Sequence, residues 1–126
     1  MGKYASTIAD AESRMAVALS QGEECKAAIS GYESERDSFV AQLSILESEL
    51  SELQAEVDRL YESDGDWQSV WSDWQSKTGE ISLIMSEVED RNSYIKDAES
   101  DLEYYRNEYR NARDQLREAQ QMEETE

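Results

Sequence analysis

From Tyr4 to Leu60 the chain repeats one interval pattern, four residues and then three. The series runs Tyr4, Ile8, Ala11, Met15, Ala18, Gly22, Cys25, Ile29, Tyr32, Arg36, Phe39, Leu43, Leu46, Leu50, Leu53, Val57, Leu60. Of these 17 positions only Gly22 and Arg36 are not apolar or aromatic. Alternating steps of four and three place side chains on one stripe of an α-helix, and an extended strand would scatter them over both faces. A second series runs from Trp67 through Val70, Trp74, Lys77, Ile81, Ile84, Val88, Arg91, Ile95, Ala98, Leu102, Tyr105, Tyr109, Ala112 and Leu116 to Ala119. Here only Lys77 and Arg91 are charged. The chain has no proline, so neither stripe meets the commonest helix breaker.

Between the stripes lies YESDGDW. Gly65 is expected to take the left-handed conformation that ends a helix, with Asp66 or Asp64 capping the next one. The sequence therefore predicts an all-α fold, a long antiparallel two-helix coiled-coil hairpin in a single domain, 1–126. Helix 1 covers about 4–62, the turn 63–66 and helix 2 about 67–121, with a frayed acidic tail at 122–126. Each stripe spans roughly 80 Å at 1.5 Å rise per residue. Gly79 should leave helix 2 continuous or mildly kinked, since one glycine costs only about 1 kcal/mol against alanine.

A bend near 64–65 pairs residues whose numbers sum to about 129, as an antiparallel coiled coil requires. Small Ala18, Gly22 and Cys25 then face large Tyr105 and Tyr109, which should fill the seam. Arg106, Arg110, Arg113 and Arg117 form a basic strip opposite Glu12, Glu23 and Glu24, with Lys26 near Glu103, so ion pairs across the helices are expected. Arg36 and Arg91 fall at one level and should turn outward toward Glu33, Glu35, Glu89 or Asp90.

All three tryptophans lie just past the bend. Trp67 and Trp74 belong to the seam and should close its end over Leu60 and Val57. Trp71, with Tyr61 nearby, is a candidate partner contact. Val40, Ile45, Leu83 and Met85 are apolar but outside the seams, at one level of the hairpin. Two helices bury little surface, so a second hairpin, from a partner or a second copy, is expected to complete a four-helix bundle. The partner-binding candidates are Tyr61, Trp67, Trp71, Trp74, Ile45, Leu83 and Met85.

The chain offers little chemistry. It has no histidine, and one cysteine, Cys25, on the seam where a thiol is usually inert filling. No calcium-loop or phosphate-cradle motif occurs. No catalytic, cofactor or metal residues are assigned, and a non-enzymatic role is expected. The net charge of −18, equal in the two halves of the sequence, should repel nucleic acid and anionic lipid. No apolar run suggests a signal peptide or a membrane span, so a cytoplasmic protein is expected, or one exported by a route that needs no signal peptide.

A small, acidic, proline-free chain that enters a helix almost at once and bends back through a tryptophan-bearing turn resembles the Trp-X-Gly superfamily of type VII secretion. Its tryptophans read WQS, WSD and WQS, and GDW has the motif's order reversed. The longer helical partners of LXG toxins are the nearer likeness. The resemblance implies a dimeric four-helix bundle and an adaptor that binds a toxin's helical N-terminal domain. It also implies an export signal, Tyr-X-X-X-Asp/Glu, at Tyr104 and Glu108. The alternative is a structural homo-oligomeric coiled-coil spacer.

Overall fold

The structure, a computed structural model, describes residues 2–125. It is an all-α helical hairpin of two elements, α1 (Ala5–Glu62) and α2 (Trp67–Glu124), each 58 residues long. None of the 33 seam positions expected from the heptad pattern is exposed. α2 passes through Gly79 unbroken. It also runs past residue 121, so Met122 to Glu124 belong to the helix rather than to a frayed tail.

The packing divides into two units. One joins the chain up to Gly31 with the chain from Tyr94 onward, and the other is Tyr32–Ser93. In the first, the buried apolar side chains are mostly small: Ala11, Ala18, Ala98, Ala112 and Ala119, with Ile95 and Leu102. Ala11 and Ala112 are fully enclosed. In the second, only Val57 and Ile81 are buried, while Phe39, Leu43, Leu46, Leu50 and Leu53 are half-covered. The small residues there are buried in the seam, while the large ones here stay half-covered.

The turn corrects the sequence reading in one respect. Asp64, not Gly65, takes the left-handed conformation, with φ 58°. Gly65 N donates to Leu60 O at 2.8 Å and Asp64 N to Tyr61 O at 3.4 Å, the paired bonds of a Schellman helix end. Gly65 instead lies close to Leu60: a Cβ there would come within 2.8 Å of Leu60 Cδ2, so that side-chain tip would have to shift. Asp66 caps α2 as expected, its Oδ1 accepting from Ser69 N at 3.4 Å. Because aspartate tolerates the left-handed region less well than glycine, Asp64→Gly should stabilise the hairpin by about 0.5–1 kcal/mol in urea unfolding.

The charged seam positions are resolved within the second unit. Arg36 hydrogen-bonds Asp37 and reaches Asn92 Oδ1 at 3.5 Å. Arg91 turns to Glu35 at 3.0 Å and to Glu87, with its guanidinium 5.1 Å from the Phe39 ring centre. The two arginines therefore diverge. Of the acids expected to receive them, Glu35 does so, and Asp37 and Glu87 are acceptors the sequence reading did not name.

Lys77 donates to Glu49 at 2.7 Å. That bond holds the Lys77 ammonium above its ordinary range, against partial desolvation and helped by the charges of Glu49, Glu80 and Asp73. A raised ammonium contributes stability below its ordinary value of 10.5 and loses it as pH climbs through the raised one. The unfolding midpoint of Lys77→Met relative to the parent chain should therefore hold steady through neutral pH and shift in the variant's favour only in strongly alkaline buffer.

Candidate partner-binding surface

Apolar residues off the seam become neighbours only where both helices present them on the same flank. Ile45 and Leu83 meet this condition. With Gln42, Leu46, Glu80 and Ile84 they line an open depression of about 310 Å3 in the second unit. Ile45 is 61% exposed and Leu83 70% exposed. Leu46 and Ile84 are half-covered seam residues, so the depression opens directly onto the unfinished core.

Val40 and Met85 are exposed as well but do not line it. Five residues of helix rotate Val40 about 140° from Ile45, and two rotate Met85 about 200° from Leu83. Equal level along the hairpin, which is what sequence numbers report, is not equal direction. Met85 is thus separated from the surface it was grouped with.

The aromatic cluster at the turn satisfies itself in part. Tyr61, 67% exposed, meets Trp67 edge-on at 5.8 Å between ring centres. Trp71 stacks on Trp74 at 4.6 Å with planes 7° apart. All three tryptophans are half-buried. Trp71, the candidate contact off the seam, is therefore partly occupied by its neighbour on α2, and Tyr61 is the most open ring of the group.

On the first unit, Tyr104 is 59% exposed and stands edge-on to Tyr105. Glu108, one turn further on, faces the other helix: Arg14 donates to it at 3.4 Å and to Gln115 Oε1 at 2.6 Å. The structure separates the environments of these two residues, one open and one tied down. Arg14 is a site residue the sequence reading missed, although it flanks seam position Met15 and its partners lie at the expected level.

The Arg106–Arg117 strip does not form the ion pairs expected of it. Arg113 reaches only its neighbour Asp114, at 3.6 Å, and Arg110 only Asn107, at 3.4 Å. Lys26 pairs with Glu23 on its own helix. Arg106 and Arg117 have no ion pair among the described residues. The small-against-large pairing leaves a hollow of about 270 Å3, lined by Ala18 and Gly22 of α1 and by Leu102, Tyr105 and Tyr109 of α2.

Among the described residues, no group of three or more His, Cys, Asp or Glu is placed to hold a metal ion, and no helix is long and apolar enough to cross a membrane. Cys25 is half-buried and free. No family model, curated protein or solved structure matches the chain.

Proposed function

We propose that this protein is a non-catalytic helical adaptor that packs its Tyr32–Ser93 unit against another helical protein. The helical N-terminal domain of an LXG toxin of type VII secretion is the partner class. The observation that supports this reading is the depression around Ile45 and Leu83. Two large aliphatic side chains stand mostly in solvent beside Leu46 and Ile84, which the hairpin alone leaves half-covered. Covering both takes an apolar face as long as a helix, and two further helices would give the four-helix arrangement in which such seams close. Tyr61 and Trp71 extend the contact toward the turn. Tyr104, open to solvent, and Glu108 form the recognition signal for export.

The test is co-expression with the products of neighbouring reading frames, with masses measured by light scattering. A stable complex with a helical toxin domain is expected. A lone monomer beside such a domain overturns the reading, and a homodimer that ignores it returns the protein to the spacer class.

A further inference from the structure

The chain is acidic nearly everywhere, but its charge is not even in the fold. Residues 32–93 carry 16 acidic and 4 basic side chains, a net of −12, while the rest of the chain carries 14 and 8, a net of −6. Within that second set, one groove reverses the sign. Lys26, Arg106, Arg110 and Arg113 line the hollow over Gly22, with Glu23 as the one carboxylate. Among the described residues no cation of this groove has an ion-pair partner on the opposite helix, and Nε of Arg113 is buried without an acceptor.

The layout decides between kinds of ligand. A small anion needs donors that converge on one point. These arginines instead step along α2 at intervals of four and three, over about 10 Å of helix axis. Carboxylates on a second helix repeat at the same intervals. The hollow supplies the remaining requirement. Gly22 leaves the floor open, and even a Cβ there would meet only Leu102 Cδ1, at 3.7 Å. A bulky apolar side chain between two carboxylates would fill it against Leu19, Tyr105 and Tyr109.

We propose that this groove docks a carboxylate-bearing amphipathic helix of the partner protein, with Arg106 and Arg110 facing acids one turn apart and an aliphatic residue seated over Gly22. The inference rests on the adaptor reading and adds a second contact, made by the other unit. Long-range repulsion from the net charge makes this contact short-ranged: it selects among helices already brought close rather than steering them from afar.

The probe is a pair of stapled 18-residue helices, identical except that one carries Glu and the other Lys at spacings of four and three around a central leucine. Fluorescence anisotropy with the full chain should show the Glu helix binding at least about ten-fold more tightly than its Lys twin. Arg106→Glu with Arg110→Glu should reverse that preference. Arg106→Lys with Arg110→Lys should retain it, as should Arg59→Glu with Lys96→Glu, which makes the same change in net charge outside the groove. Equal binding of the two helices to the unaltered chain overturns the proposal without reliance on any variant. So does a preference that survives the charge reversal. Self-association of the chain that the reversal abolishes also overturns it, because the occupant is then a second copy. Co-expression with Ile45→Asp and Leu83→Asp reads the other unit alone, so the adaptor reading can fail or stand independently.

Discussion

Ile45→Asp combined with Leu83→Asp should weaken the complex with a helical partner by on the order of 100-fold or more, with the free chain as helical as before. Residues at the centre of an interface contribute about 2 kcal/mol or more each, and each 1.4 kcal/mol is a factor of ten. Both side chains stand mostly in solvent in the free hairpin, so folding loses little when they become charged. In the complex each would carry an unpaired carboxylate into an apolar contact, which is the costly step. Val40→Asp with Met85→Asp makes the same chemical change on residues outside the depression. Titration calorimetry should find that control within a few-fold of the parent chain. If the two pairs behave alike, the depression is not the contact.

Ala112→Leu should destabilise the hairpin by about 1–3 kcal/mol, because a fully enclosed small residue leaves no room for three more carbons. At this chain length that is roughly 4 °C of melting temperature for each kcal/mol. Ala55→Leu, at an exposed position of α1, should change it by no more than about 0.5 kcal/mol. The expected contrast tests whether the seam of the first unit is closed by small residues in contact, as opposed to being merely shielded. Calorimetric melting of the two variants side by side would show it.

The seam itself was legible because its cause is local. Heptad spacing is geometry within one helix, and every position it picked, down to Lys77 and Arg91, turned out to be at least half-covered. The cap at Asp66 was legible for the same reason. The turn was legible in place but not in conformation. Gly65 has the freedom to go left-handed, yet the one-residue offset of a Schellman end gave that role to Asp64, with Gly65 lying close to Leu60. Flank was harder still. Val40, Ile45, Leu83 and Met85 share a level, but only rotation about each axis shows which pair meets. The arginine strip failed for a further reason. Lys77, Arg91 and Arg14 do reach carboxylates on the facing helix, but a shared level does not set direction, and Lys26 found Glu23 closer at hand, three residues back on its own helix.

Arg91 has a consequence for alignment. Its guanidinium meets Glu35 and the face of Phe39 on α1 at this alignment, with Glu87 on its own helix as a further acceptor. A slip of α2 by seven residues would keep apolar stripe against apolar stripe almost everywhere. It would also carry Arg91 to the level of Leu46 or Tyr32, away from Glu35, and would take Lys77 from Glu49. Repeating leucines cannot tell one heptad from the next. The two interruptions in their pattern can, so the least greasy positions of the second stripe fix which of several near-equivalent pairings the chain adopts.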